Sequence, residues 1–426
     1  MIKRLSVQGY KSLLDVELTD LGRTVVLFGP NAAGKSNLLD ALDLLSHLAR
    51  EDTLTAAFQK HRGNRLGRPL PVRWFFSGGN EGEPRELTMR FRIDFDLQDR
   101  IVDEINDELK RREAGERLAR PYTRVSRRSL RYELTISYDA AARTLDVTSE
   151  SLKAINRDGE ERNEVPFIKH EDEGRLSVKL ERQSHPRHFP VPRQRTILSE
   201  VGDLVNHPHL VAAARELASI RVFYVEPTRM RGEVSDLRAT DPGSFGESLA
   251  SFYHWLAREH PIKHRNLVDN LTRLVPGLRG LEVKEGSEGF LELWVDERDR
   301  GHFHAAMVSE GTLRILCLLG IAATPRPPAV VGYEEPENGV NPARLRDVHS
   351  IIEEAASRPG GSQFFLTTHS SEVLSLFGEA VAFTVKRGLG GSEYRRSPVL
   401  PVFAREQVDG TLGPSLGERV TRGDLG

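Results

Sequence analysis

The run Thr24-Val25-Val26-Leu27-Phe28-Gly29-Pro30-Asn31-Ala32-Ala33-Gly34-Lys35-Ser36 decides how the rest of the chain is read. Thr24 to Phe28 is a continuous apolar run, the pattern of a strand buried on both faces. Downstream, Ser36 to Arg50 sets Leu38, Leu39, Leu42, Leu45 and Leu48 on one helical stripe. The turn between them, Gly29 to Ser36, satisfies G-x-x-x-x-G-K-[ST] in full and sits between a strand and a helix, as a phosphate loop requires. Its backbone N–H groups wrap a β-phosphate, and Gly34 permits a backbone geometry that a Cβ would obstruct. The helix start adds partial positive charge. Lys35 reaches β- and γ-phosphate oxygens, and the Ser36 hydroxyl ligates Mg²⁺.

Working outward, the chain has 426 residues, 60 Lys and Arg against 62 Asp and Glu, and one Cys. That length suggests about three domain-sized units. The lone Cys317 excludes a disulfide scaffold and a Cys-rich zinc module, and fits a reducing cytosol, so a cytoplasmic location is expected. The longest apolar run, Ile315 to Ala323, is too short for a membrane helix, and the opening residues lack the apolar stretch of a signal peptide. No Asn-Lys-x-Asp base reader of GTPases occurs. Alternating strands are expected at Ile2–Val7, Leu13–Leu18 and Leu87–Leu97, a charged helix at Gln98–Arg120, and β structure again at 132–147. The stretches 53–86 and 156–195 read as polar loop or insertion. Strands alternating with helices at both ends argue an α/β core with a mainly parallel sheet.

Three further elements cluster in the last third. Val330-Val331-Gly332-Tyr333-Glu334-Glu335-Pro336 is a buried strand ending in two carboxylates: one for the outer shell of a metal, the next to polarise an attacking water. Val308-Ser309-Glu310-Gly311-Thr312 opens an apolar helix, so Ser309 and the N–H groups near Gly311 form a helix-start anion site. Thr367-Thr368-His369-Ser370 is a second strand end, one helix after the Glu pair.

In this order and spacing the motifs resemble those of ABC-type ATPases, in the RecF, SMC and OLD-like group that includes compact ATPases of bacterial anti-phage systems such as Septu and PARIS. Ile2 to Asn37 looks like that group's start, Ser309-Glu310-Gly311-Thr312-Leu313-Arg314 like its signature motif, Glu334 to Pro342 like its Walker B and D-loop, and Thr368-His369-Ser370 like its switch histidine. The resemblance implies an ABC-type P-loop core with a mainly parallel sheet, an antiparallel β lobe and an inserted α/β region. It implies that Gly29, Pro30, Asn31, Ala32, Ala33, Gly34, Lys35, Ser36 and Asn37 cradle ATP, with Mg²⁺ on Ser36 and Glu334. Glu335 would be the catalytic carboxylate, with Lys35 and His369 at the γ-phosphate. Ser309 and Gly311 would cap ATP held by a second copy in an ATP-closed homodimer, or a higher oligomer, and Asn338 would lie across that interface. Two features depart from the pattern: Glu334 stands where the family usually has Asp, and no Gln loop is identifiable, Gln59 lying in a polar stretch.

The expected division is a first part of the core over 1–97, an insertion with a basic helix and strands over 98–215, a second part over 216–390 and a tail over 391–426. The insertion has neither the coiled coil of SMC proteins nor a Cys-x-x-Cys hook. Residues 370–426 are too few for a Toprim nuclease and lack an Asp-x-Asp cluster, so no intrinsic nuclease is expected. Lys110 to Arg131 holds nine bases against two acids, and Arg187 to Arg195 forms a second cluster. Such stripes track a phosphate backbone or dock an acidic partner, so DNA and protein both stand as ligands. His302 and His304 alternate on a strand without ligand partners at metal spacing, and Cys317 reads as core. The leading expectation is an Mg²⁺-dependent ATPase whose ATP-driven dimer regulates a separate nuclease or toxin in anti-phage defence, without a membrane. A RecF-like DNA repair ATPase and an ATP-binding scaffold with little turnover are the alternatives.

Overall fold

The computed structural model describes residues 1–60, 70–79, 86–115, 121–171, 174–182, 185–232, 234, 238–275, 277–286, 289–298 and 301–397. The chain opens with the hairpin β1 (Ile2–Tyr10) and β2 (Leu13–Leu18), followed by β3 (Thr24–Phe28), α1 (Lys35–Leu48), α2 (Leu54–Lys60), β4 (Glu86–Asp96) and α3 (Asp99–Ala114). The long hairpin β5 (Ser129–Asp139) and β6 (Thr144–Ala154) leads to three short strands, β7 (Ile168–Glu171), β8 (Arg175–Val178) and β9 (Arg187–Pro190). Then come α4 (Ile197–Glu200) and α5 (Pro208–Ala218). The later half runs β10 (Arg221–Phe223), α6 (Pro227–Met230), α7 (Leu249–Glu259), α8 (Pro261–Leu274), β11 (Leu278–Glu285), β12 (Leu291–Glu297), β13 (Gly301–His304) and α9 (Glu310–Ala323). It ends with β14 (Val330–Glu334), α10 (Leu345–Ser357), β15 (Gln363–Thr368), α11 (Ser371–Leu376), β16 (Val381–Gly388) and β17 (Gly391–Arg396).

Two compact units result. The first comprises residues 1–22, 30–220 and 384–395. Its frame is an eight-stranded sheet in the order β2-β1-β4-β5-β6-β7-β8-β9, antiparallel at every pairing. β4 alternates outward-facing Glu86, Thr88 and Arg90 with buried Leu87, Met89 and Phe91, the period-2 pattern of a strand with one face on the core. α1 buries Leu38, Leu39, Leu42, Leu45 and Leu48, as the stripe requires. Its Ser46 hydroxyl donates to the carbonyls of Ala218 and Ile220 at the end of α5.

Two polar stretches carry more structure than their composition suggests. Within 53–86, α2 forms because Leu54, Ala57 and Phe58 make one short apolar face, on which Phe75 and Phe76 stack against Phe58. Within 156–195, β7, β8 and β9 extend the large sheet. These strands are short and charged, and their pairing comes from the sheet edge left open by β6 rather than from local propensity.

The second unit holds residues 23–29, 221–383 and, among the described residues, 396–397. Here β10, β14, β15 and β3 lie side by side in that order, all parallel. Val26 and Phe28, Val331 and Tyr333, and Phe364 and Leu366 share one core cluster with apolar residues of α7, α9 and α10. Parallel strands covered on both faces are buried along their whole length, as β3 and β15 are, although β15 carries Gln363, Thr367 and Thr368. The start of β3 is tied to α10: Thr24 Oγ1 donates to Glu353 and Arg23 donates to the Ala356 carbonyl. β11, β12 and β13 form a separate three-stranded antiparallel sheet. Cys317 is fully buried in α9, as a core residue, and burial pushes its thiol well above the ordinary value. Among the described residues no helix is long and apolar enough to cross a membrane.

Candidate active site

In the first unit, the turn into α1 is held by a polar brace. Gly34 caps α1 at φ 110° and ψ 7°, in the left-handed region. A Cβ at that position would lie 2.0 Å from Ser392 Oγ and 2.9 Å from Ser12 Oγ, so no other residue fits without displacing them. Ser12 and Ser392 hydroxyls are 2.7 Å apart, Asn37 Nδ2 donates to Ser12 Oγ, and the Tyr394 hydroxyl donates to the Gly34 carbonyl at 2.8 Å. Burial pushes the Tyr394 phenol above its ordinary range, so it stays a donor. Lys35 is 5% exposed, and its ammonium donates to the Pro30 carbonyl at 2.9 Å, folded over its own loop. Ala32 is also left-handed, at φ 62°. Pro30, Asn31 and Ala32 are exposed, Ala33 is buried and Ser36 half-buried. The first turn of α1 carries no acidic side chain to compete with an anion for its N–H groups.

In the second unit, three neighbouring parallel strands end at one edge. Phe28 of β3 pairs with Thr368 of β15, and Thr367 pairs with Glu334 of β14. Just beyond, Gly29 N donates to the Thr368 carbonyl at 3.3 Å, and Glu335 N to the Thr367 carbonyl at 3.0 Å. Gly29, Glu335 and His369 are therefore brought together by strand register alone. Crevices at the carboxyl ends of parallel strands are where α/β sheets bind ligands. Glu335 adopts φ 47°, a left-handed backbone that costs a non-glycine residue of order 1 kcal/mol. It is held there by its two N–H acceptors on Thr367 and by Asn338, whose amide donates to Glu335 Oε2. His369 is half-exposed, with Nδ1 3.5 Å from Glu335 Oε1.

The signature turn is built within the same unit. Ser309 caps α9, its hydroxyl accepting from Thr312 N at 3.2 Å, and Ser309 and Glu310 are exposed. A Cβ on Gly311 would stand 2.4 Å from the Gly339 carbonyl, so this glycine lets the start of α9 lie directly on the turn that follows Glu335. Signature turn and D-loop turn are thereby one packed feature.

The basic segment Lys110–Arg131 carries much less free charge than its composition implies. Arg112 pairs with Glu108, Arg124 with Glu113, Arg127 with Glu164 and Arg128 with Asp99. Arg131 is buried in a two-pronged bond to Asp94, each contact 2.7 Å, which holds its guanidinium above the ordinary range. Arg117 and Arg120 lie outside the described residues. In the second basic cluster Arg193 pairs with Glu200 and stacks over Phe189, and His188 meets Glu171. His304 Nδ1 accepts from Ala306 N and has a structural use.

Three contributors escaped the sequence reading. Ser392 and Tyr394 reach Gly34 from the far end of the chain, where no local signal marks them. Glu337 follows the Glu pair by two residues and reads as part of a turn. In the fold its side chain is 9% exposed, Thr368 Oγ1 donates to its Oε1 at 2.5 Å, and His369 N does so at 3.3 Å.

The residues suit a magnesium-bound nucleoside triphosphate. Among the described residues no group of three or more His, Cys, Asp or Glu could hold a metal. Mg²⁺ in nucleotide sites needs no such cage, since one or two protein oxygens complete a shell supplied by phosphates and water. The start of α1, a helix N-terminus without an acidic side chain, supplies the anion site.

Among solved structures, an Smc head bound to the C-winged helix domain of ScpA is 16% identical, covers 93% of this chain and 97% of its own, and superimposes with a TM-score of 0.53. The Smc head domain of Pyrococcus furiosus with an extended coiled coil, bound to the C-terminal domain of ScpA, is 13% identical, with coverage of 96% and 98% and a TM-score of 0.48. The first likeness shows the fold, the mixed α/β fold of an Smc head. No curated protein matches the chain in sequence. A family profile spans residues 25–375, from the start of β3 to α11, and the chain thus belongs to the family described as "AAA domain, putative AbiEii toxin, Type IV TA system".

Proposed function

We propose that this chain is an Mg²⁺-dependent ATPase whose ATP-bound form pairs with a second copy, and that this pairing regulates a separate effector, a nuclease or toxin, in anti-phage defence. The observation that carries the catalytic part is the strand edge where Gly29, Glu335 and His369 meet. Gly29 to Asn37 would wrap the triphosphate through backbone N–H groups, with Lys35 neutralising the β- and γ-oxygens. Ser36 and Glu334 are the residues that would hold Mg²⁺, which when bound offsets charge developing on the phosphates. Glu335 orients and polarises the attacking water, its carboxylate aimed by Asn338 and by the strained backbone. His369, beside that carboxylate, contacts the γ-phosphate.

The exposed start of α9 supports pairing: Ser309 and Glu310 present a helix N-terminus that faces outward from their own unit. Ser309, Gly311 and Asn338 would meet the nucleotide of the second copy. The family's description names one part of a toxin–antitoxin system, which favours a chain acting with another protein. Ion pairing across Lys110–Arg131 leaves less free positive charge for either DNA or an acidic protein to meet.

Phosphate release by the purified chain tests the reading. Turnover should require Mg²⁺ and stop on chelation, and Glu335→Gln should lose at least a hundredfold in kcat while still binding ATP. Unchanged turnover in Glu335→Gln would remove the catalytic assignment. Co-purification with the product of the neighbouring gene, with and without ATP, tests the effector.

A further inference from the structure

His369 Nδ1 stands between two carboxylates, 3.5 Å from Glu335 Oε1 and 3.7 Å from Glu337 Oε1. The two acids differ in what else they do. Glu335 is tied to Asn338 and is 24% exposed. Glu337 is nearly buried, and its Oε1 accepts from both the Thr368 hydroxyl and the His369 backbone N–H. The Thr368 hydroxyl in turn accepts from Ser370 N, whose side chain caps α11. One carboxylate oxygen thus fastens the D-loop turn to the end of β15 and to the start of the next helix. Its other oxygen, Oε2, is buried with no hydrogen-bond partner. A buried carboxylate oxygen left bare calls for a group that arrives in another state of the site. The imidazole of His369 lies beside this carboxylate, Nδ1 3.7 Å from Oε1, and Nδ1–H is the donor that a turn of the ring would bring toward Oε2. Burial also pushes the Glu337 carboxyl above its ordinary range, as expected of an acid waiting for a cationic or donor partner.

We propose that Glu337 is the positioning residue for His369: it anchors the histidine backbone through Oε1 and takes the ring Nδ1–H on Oε2 when Glu335 turns to the attacking water. The inference rests on the hydrolytic reading above. It explains how one imidazole serves next to a general base without blocking it. With Glu337 holding Nδ1–H, an imidazolium ring has its Nε2–H left to donate to a phosphate oxygen.

The test uses the full chain with ¹³C-labelled histidine rings, the His369 signal being assigned from His369→Gln. Glu337→Ala should shift and broaden that signal in the nucleotide-free protein and on adding a non-hydrolysable ATP analogue. It should lower kcat at least tenfold with KM for Mg-ATP unchanged within twofold. Glu337→Gln keeps an acceptor for Thr368 and His369 N but sets an NH₂ donor where Nδ1–H would land, so it should also lose at least tenfold in kcat, and a parent-like kcat would overturn the ring-holding role. Should Glu337→Ala fail to fold, Thr368→Val removes the hydroxyl that orients the carboxylate and should move the same signal. An unmoved His369 signal in Glu337→Ala overturns the proposal, as does a shifted signal with unchanged kcat, or a loss confined to KM. If the parent chain shows no Mg-ATP turnover, the hydrolytic reading fails by itself, and the ring signal still decides whether Glu337 holds the histidine.

Discussion

Glu150 and Glu337 are both desolvated glutamates, and their surroundings differ in one respect that separates structure from function. Glu150, on β6 in the first unit, is fully enclosed and has both oxygens hydrogen-bonded. Its Oε1 accepts from the Tyr132 hydroxyl at 2.9 Å and from Leu198 N, and its Oε2 accepts from Ile197 N at 2.7 Å. It caps the short helix α4 and locks it to the sheet. Glu337, in the second unit, has one oxygen doubly served and the other bare, beside a half-exposed histidine. Desolvation raises both carboxyls, that of Glu150 to about 7. A perturbed acid is therefore no sign of chemistry by itself; what sets Glu337 apart is a bare oxygen beside a half-exposed histidine.

The comparison is sharpened most by emptying the structural site. Glu150→Ala strands two backbone N–H groups and a tyrosine hydroxyl in a closed interior, and should cost about 4 kcal/mol in urea denaturation. Its nucleotide affinity should stay at the parent's. A loss of affinity with intact stability would erase the distinction drawn between the two acids.

The next effect is one of pH. The folded carboxyl of Glu150 titrates near 7 and the unfolded one near its ordinary 4.5. Below 4.5 both states hold the proton and stability is unaffected. Between 4.5 and 7 the unfolded chain gives up a proton that the folded chain keeps, so stability falls with rising pH, by roughly 3 kcal/mol in total, then levels off. Glu150→Gln should flatten that slope in thermal or urea unfolding from pH 5 to 8, from a lower baseline because its amide N–H faces another donor. A slope identical to the parent's would place the titration elsewhere.

The smallest effect extends the contrast to the phosphate loop. Gly34→Ala puts a methyl 2.0 Å from Ser392 Oγ at φ 110°. The displaced brace should cost nucleotide affinity about tenfold, near 1.4 kcal/mol, read by titration with a fluorescent ATP analogue. Unaltered affinity would mean that Ser12, Ser392 and Tyr394 merely fill space.

Much of the core was legible because its signals are local. A buried strand, a glycine turn and an amphipathic helix follow one another from Thr24 to Leu48, and β14 and β15 announce themselves as apolar runs closed by Glu335 and by His369. What escaped depends on partners distant in sequence. β7, β8 and β9 are charged segments that become strands only because β6 offers an edge. Charge counts over Lys110–Arg131 pointed to a basic surface, but Asp94, Asp99 and Glu164, all outside that window, supply counter-charges. Glu337 could not be told from an ordinary turn acid until the end of β15 was laid beside it.

The Tyr394–Gly34 bond and the Ser12–Ser392 contact also bear on when this protein becomes competent. Both connect residues near the start of the chain to a strand near its end. During synthesis the phosphate loop is made early yet stays unbraced until β17 has left the ribosome, long after the large antiparallel sheet can close around its own hairpins. A truncated or still-tethered chain would carry the Gly29–Ser36 turn without the contacts that hold Gly34 in place.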